Sequence, residues 1–400
     1  METMKNTSRK LNQRVSTNGL KKAVSTEGII AIIIFCLFFG YLISVMGLVN
    51  MFNTLINTAH DLLLNTVFFI MGIAVLAGAI GSVLTEFGVI SMLNKILSIF
   101  MKPLYNMPGA SVLGIVTTYL SDNPAIITLA KEDGFKKFFK QYQLPALTNL
   151  GTAFGMGLVV TAFMMAQASP IGESFVMPAL IGNLGAFVGS IISVRIMLQF
   201  TKKVYGVDAE PIVKSDVDYD VLTYRKVREG TTGQRLLAAL LEGGKSGVDI
   251  GLSIIPGVLI ICTVVLLFTN GPSPEGYTGV AYEGVGLLPA IANQLDFILE
   301  PLFGFQSPEA IAVPITSLGA VGAAIGLVPT LLEEGLIGGN EIAVFTAMGM
   351  CWSGYLSTHV AMMDSLDCRE LTGKAIISHT IGGLVAGIAA HWFYVLFTII

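Results

Sequence analysis

One carboxylate lying inside an apolar run is the side chain in this sequence best suited to chemistry. Asp122 stands in Ser121-Asp122-Asn123-Pro124, a polar break in the middle of the apolar stretch 109–131. An ionisable side chain within a membrane is costly and by default marks an ion or substrate pathway. Asp or Asn ahead of a proline also caps a new helix, because proline fits the first turn, where no N–H is needed. Both roles are open to Asp122. Thr117, Thr118, Ser121 and Asn123 surround it, and a second broken stretch, 308–332, adds Thr316 and Ser317 before its interruption Gly319-Ala320-Val321-Gly322. Such hydroxyls often bond their own helix backbone, so they are binding candidates chiefly as a set. The half-helix ends contribute as well, with N–H groups for anionic parts of a solute and carbonyls for a cation.

Two later apolar runs carry further polar groups: Asn149 and Thr152 in one, and Trp352, Ser353, Ser357, Thr358 and His359 in the other. Ser353 lies 11 residues after Ile342, about half-way down a span at ~1.5 Å per residue. Trp352 is able to stack on a planar ring or to fill space between helices. Cys351, His359, Asp364 and Cys368 suggest a metal set but lack the tight spacing that transition metals require. Gly243-Gly244-Lys245-Ser246 has the tail of a phosphate loop, yet Ala239 stands where its first glycine belongs. With no paired acids, Ser–His pair or His-Glu-x-x-His signature, the chain reads as a non-enzyme without a resident cofactor. Na⁺ or H⁺ is the expected coupling ion, and any metal ligand is left unassigned.

The elements that hold these residues follow from composition. Of 400 residues, 53% are hydrophobic and 12% charged, against roughly 25% charged in soluble domains. The chain is therefore expected to be an all-α polytopic membrane protein whose first partner is the lipid bilayer. No nucleic acid is expected to bind. The four cysteines show no CxxC spacing, so neither a disulfide framework nor a zinc site is signalled. Met1 to Glu27 carries six basic and two acidic residues ahead of the apolar run 28–49, which reads as a retained span and not a cleaved signal.

A crossing helix needs ~20 apolar residues. Seven runs are long enough: 28–49, 62–85, 142–166, 178–200, 250–269, 342–362 and 375–398. The broken stretches 109–131 and 308–332 read as re-entrant helical hairpins, since irregular backbone at membrane depth is tolerated only where it is buried or lines an aqueous cavity. No Lys or Arg occurs over 23–94, 141–194 or 246–368. Because basic loops stay on the cytoplasmic side, Lys136, Lys137 and Lys140 after the first hairpin and the eight basic residues of 201–249 are placed inside. Glu333, Glu334 and Glu341 after the second hairpin are placed outside. The expected order is a cytoplasmic N-terminus with a first helix (1–61), a first repeat (62–200), a cytoplasmic linker (201–249) and an inverted second repeat (250–400) ending outside the cell membrane.

An ungapped offset of 198 supports the duplication: Pro103-Leu104-Tyr105 falls on Pro301-Leu302-Phe303, Thr148 and Gly151 on Thr346 and Gly349, and Gly185 and Gly189 on Gly383 and Gly387. By the same offset Asp122 falls on Ala320, an asymmetry that favours a site over a structural need.

The order of elements, together with Lys102-Pro-Leu-Tyr105 and Glu300-Pro-Leu-Phe303 leading into the two broken hairpins, resembles the concentrative nucleoside transporters. It is similar more widely to the nucleoside-recognition or Gate-domain membrane family, which includes the permease part of the bacterial ferrous-iron transporter and spore-maturation membrane proteins. The likeness covers roughly 62–398. It implies an elevator-like transport domain, coupling to Na⁺ or H⁺ and a homo-oligomer, often a trimer. Where nucleoside transporters carry a Gly-Gln-x-Glu type motif at the first hairpin tip, this chain has Ser121-Asp122-Asn123-Pro124. The expected function is cation-coupled secondary transport of a small polar solute such as a nucleoside. The alternatives are a non-transporting Gate-domain module that assembles with a partner protein, and a metal-ion permease.

Single cysteines introduced as Lys137→Cys and Glu334→Cys, in a background free of other cysteines, are expected to react with a membrane-impermeant maleimide from opposite sides. Labelling from the same side would refute the inverted repeat.

Overall fold

The computed structural model describes residues 24–131, 133–169, 172–207, 224–225 and 227–399. The basic lead before Val24, Glu132, most of the linker (208–223) and Lys226 lie outside the described residues. The chain runs through α1 (Thr26–Met46), α2 (Leu48–Glu86), α3 (Val89–Phe100), α4 (Val112–Leu120), α5 (Pro124–Lys131), α6 (Ala146–Thr152), α7 (Gly157–Met165), α8 (Val176–Tyr205) and α9 (Thr232–Thr269). It continues through α10 (Leu287–Phe303), α11 (Ala312–Ser317), α12 (Val321–Glu333), α13 (Gly339–Cys351), α14 (Tyr355–Ser365) and α15 (Thr372–Ile399).

Among the described residues six helical segments are long and apolar enough to cross a membrane: α1, α2, α6 with α7, α8, α9 and the segment containing α15. The sequence expectation was seven. Run 342–362 is the one that drops out, because α13 stops at Cys351 and α14 begins only at Tyr355. Run 142–166 is interrupted at the corresponding place, between Thr152 and Gly157. Neither break carries a proline or a charge, so hydropathy cannot register it; at the second, tertiary hydrogen bonds to Ser353 O and Gly354 N occupy the open backbone groups.

Left-handed backbone marks the same bends in both halves. Met156 has φ 52° and Gly354 φ 60°, Asn106 φ 57° and Gly304 φ 65°, and both pairs are separated by 198 positions. Non-glycine residues seldom adopt φ above zero, so Met156 and Asn106 are held there by their surroundings.

Two helices overrun the sequence boundaries. The division at 61/62 falls inside α2, whose 39 residues reach ~58 Å against a hydrocarbon core of ~30 Å. Its first turns bind a loop: Asn50 and Asn57 donate to the carbonyls of Tyr277 and Gly279 (both 2.8 Å), and Thr58 accepts the Tyr282 amide (2.9 Å). Within that loop buried Glu283 accepts from the Ser273 hydroxyl (2.7 Å) and the Gly279 amide (2.8 Å). Burial pushes its carboxyl up, but the hydrogen bonds from Ser273, Thr278 and Gly279 prevail and hold the pKa down at about 2. Helix α9 starts at Thr232, behind a Thr231–Gln234 capping box, not at 250. Near this end Glu86 of α2 is buried and bonded by Arg228 and Arg235, both at 2.6 Å.

Glycine seams join the long helices in pairs, since small residues let membrane helices approach backbone to backbone. In the α2–α9 seam a Cβ on Gly78 would lie 2.5 Å from the Gly243 carbonyl oxygen, and one on Gly247 would overlap the Ala74 backbone. The phosphate-loop-like Gly243-Gly244-Lys245-Ser246 is thus part of a helix-packing stripe. In the α8–α15 seam a Cβ on Gly185 would lie 2.6 Å from the Ala386 oxygen, and one on Gly189 would overlap the Gly382 oxygen.

Gly247→Val is expected to lower the melting temperature in detergent, at a cost of about 1–3 kcal/mol or more from overpacking. Gly244→Ala, whose nearest neighbour would be Val75 Cγ1 at 3.6 Å, serves as the near-neutral control.

Candidate functional site

The first tip is built from its own sequence. The Asn123 amide donates to Asp122 Oδ1 (2.7 Å), and the carbonyls of Asp122 and Asn123 accept the amides of Ala125 (3.0 Å) and Ile126 (3.3 Å). These bonds start α5 directly behind α4. The chain folds back there: a Cβ on Gly114 would overlap the Ile126 side chain, although 12 residues of straight helix would separate them by ~18 Å. In the second tip the amides of Gly319 and Ala320 bond back to the Thr316 carbonyl (3.1 and 3.0 Å), and α12 begins at Val321.

Both tips meet at a single peptide group in the break between α13 and α14. Its carbonyl, on Ser353, accepts the Asn123 side-chain amide at 2.5 Å. Its N–H, on Gly354, donates to the Ser317 carbonyl at 3.0 Å. Opposite, the α6–α7 break brings Gly155 so close that a Cβ there would overlap Asn123 Oδ1 and lie 2.9 Å from Ser353 Cβ. Since 353 minus 155 is 198, Asn123 sits between a residue and its counterpart in the other half.

A cavity of about 210 Å³ opens at this junction, lined by Asp122 and Asn123, by Gly319, Ala320, Val321 and Gly322, by Met156, Ser353, Gly354 and Thr358, and by Ser253, Ile254 and Gly257 of α9. Of the sequence candidates, Asp122, Asn123 and Ser353 therefore line one space. Ser121 is half-buried beside them. Thr118, Thr316 and Ser317 are buried and donate to carbonyls of their own helices, Gly114, Ala312 and Pro314, at 2.7 to 2.8 Å.

Asn149 lies one layer away. Its Nδ2 donates to Ser193 Oγ and to the Ala375 carbonyl, both at 3.0 Å. Ser193 in turn bonds His379 Nδ1 (3.0 Å), and His379 Nε2 reaches the Cys351 carbonyl (2.5 Å). That carbonyl ends α13 and would otherwise lack a partner. The carbonyl accepts, so His379 carries its proton on Nε2 and takes the Ser193 hydroxyl proton on Nδ1. Trp352 is buried against α15, where a Cβ on Gly383 would overlap its indole, and its ring stacks on Tyr355 with centroids 6.4 Å apart. The Ser357 side chain lies outside the described residues. His359 faces His379, with ring centroids 4.7 Å apart, and among the described residues no three His, Cys, Asp or Glu side chains form a metal-binding group.

Sequence reasoning passed over Gly155, Met156, Ser253 and His379. The offset of 198 from Ser353 points to Gly155. Ser253 is placed by the α2–α9 seam and had no local signal.

Solved structures with this arrangement of helices exist. A double variant of CNTnw in an outward-facing state superposes with a TM-score of 0.50 at 13% identity, covering 84% of this chain and 80% of that one. CNTnw in an inward-facing substrate-bound state gives 0.50 at 12% identity, covering 84% and 79%. The fold resembles that of CNTnw, a concentrative nucleoside transporter. At such identity the likeness to CNTnw concerns fold alone. No protein-family model and no curated protein matches the sequence.

Asn123→Ala strands the Ser353 carbonyl and is expected to cost about 1–3 kcal/mol, read as a lower melting temperature in detergent. Ser121→Ala at the same tip should change it little. Equal stability of the two variants would show that the bond across the tip does not hold the junction.

Proposed function

We propose that this protein is a cation-coupled secondary transporter of a small polar solute, operating by an elevator-type movement. The observation that carries this reading is the cavity in which two folded-back tips, two broken helices and α9 converge on one carboxylate. Broken backbone is tolerated in a membrane where it lines such a space, and transporter sites form where discontinuous helices meet. The pairs α4–α5 and α11–α12 are then re-entrant hairpins of two repeats of opposite orientation, with the N-terminus cytoplasmic and the C-terminus outside the inner membrane.

Separate glycine seams in α2–α9 and α8–α15 supply two stiff bodies, and the cavity lies where α9 faces the tips. Sliding between those bodies would expose the cavity to one side and then the other. CNTnw, whose fold is similar, has been solved in outward-facing and inward-facing substrate-bound states. A homo-oligomer, a trimer by the same resemblance, gives the scaffold body its support. Na⁺ or H⁺ is the coupling ion, and Asp122 is the group through which its charge is felt.

Asp122→Asn keeps a side-chain oxygen that can accept the Asn123 amide and removes the charge. Reconstituted in proteoliposomes, the variant is expected to keep its melting temperature while ion-gradient-driven uptake falls at least about tenfold, the size of one lost charge-assisted hydrogen bond. Unchanged gradient-driven uptake would remove Asp122 from the mechanism.

A further inference from the structure

We propose that the solute held in this cavity carries a primary ammonium group, received by Asp122; the inference rests on the transport reading above. The lining contains one ionisable side chain, the Asp122 carboxylate, and no Lys, Arg or His. A carboxylate withdrawn from water without a cation is costly. A cationic group on the occupant would supply that counter-charge alongside the coupling ion.

Hydrogen-bond accounting gives the same answer. At the first tip the donors are committed: the Asn123 side chain to Ser353 O (2.5 Å) and the Asn123 amide to Asp122 (2.7 Å). The Ser253 and Thr358 hydroxyls donate to the carbonyls of Ile250 (2.7 Å) and Gly354 (2.9 Å). Beside these, the Asp122 carboxylate and the lone pairs of both hydroxyls remain as acceptors, and the Ser353 hydroxyl, able to donate or accept, lines the same space. Asn123 Oδ1 is buried without a partner, packed against Gly155 beside this space. An ammonium brings three N–H donors and one positive charge. A carboxylate or phosphate would meet like charge here, and a neutral nucleoside would make no use of the Asp122 charge.

Size separates an organic cation from a bare ion. The cavity of about 210 Å³ has the volume of roughly seven waters at ~30 Å³ each, far more than Na⁺ or K⁺ occupies. Amino acids and simple amines both present the ammonium, and the test tells them apart.

The test is the melting temperature of the purified full-length chain in detergent, titrated at constant ionic strength with L-alanine, L-lysine, putrescine, N-acetyl-L-alanine, uridine, sodium acetate, NaCl and KCl. Saturable stabilisation is expected from at least one of alanine, lysine and putrescine, and none from N-acetylalanine, uridine or acetate. Alanine or lysine acting above putrescine identifies an amino acid; putrescine acting alone identifies a simple amine. Asp122→Asn should weaken the active amine roughly ten- to a hundredfold with the unliganded melting temperature retained. The acetylated analogue makes the same comparison on the unaltered protein. Stabilisation by uridine with all three amines inert would overturn the ammonium and leave transport standing. Na⁺ or K⁺ as sole stabilisers would overturn it in favour of an inorganic ion. No stabilisation by any probe, with no flux of these solutes in proteoliposomes, would overturn both readings.

Discussion

The peptide group between Ser353 and Gly354 is the constraint on which the junction depends. Its oxygen is bonded by Asn123 and its N–H by the Ser317 carbonyl, so it joins both folded-back tips to the break between α13 and α14. A buried main-chain group left unpaired costs free energy comparable to a lost hydrogen bond. Here both partners come from the folded-back tips themselves. The two tips and the break are therefore mutually required, and none of the three can be regularised without stranding polar groups on the other two.

Behind this junction a second line of bonds limits how the break can open. Asn149, Ser193 and His379 pass from α6 through α8 and α15 to the last carbonyl of α13. Each member of that line is buried, and the Asn149 amide, the Ser193 hydroxyl and His379 are oriented by the bonds between them. His379 is thus a positioning residue for the break.

Legibility in the sequence followed local chemistry. The first fold-back could be read because Asp122 and Pro124 are adjacent, and the second because glycines interrupt its run. The breaks at 153–156 and 352–354 could not, since Ala153-Phe-Gly-Met and Cys351-Trp-Ser-Gly are as apolar as a continuous span and only contacts distant in sequence open them. For the same reason Thr118, Thr316 and Ser317 were indistinguishable from lining residues, whereas the structure returns their hydroxyls to their own helices. Asp122, Asn123 and Ser353 share a cavity, a grouping for which the sequence offered three positions but no distance. The contribution of α9 through Ser253 and Gly257 had no sequence signal at all.

The glycine seams bear on how such a chain changes over generations. At Gly185 and Gly189 the neighbour across the seam is backbone, and at their counterparts Gly383 and Gly387 it is the Trp352 and Met348 side chains; a Cβ fits at none of the four. A lipid-facing position accepts almost any apolar residue, so it drifts freely and soon forgets its ancestor. These glycines have no substitute to drift into. Gly185 and Gly189 stand 198 positions before Gly383 and Gly387, so the same bar on a side chain recurs at matching places in the two halves.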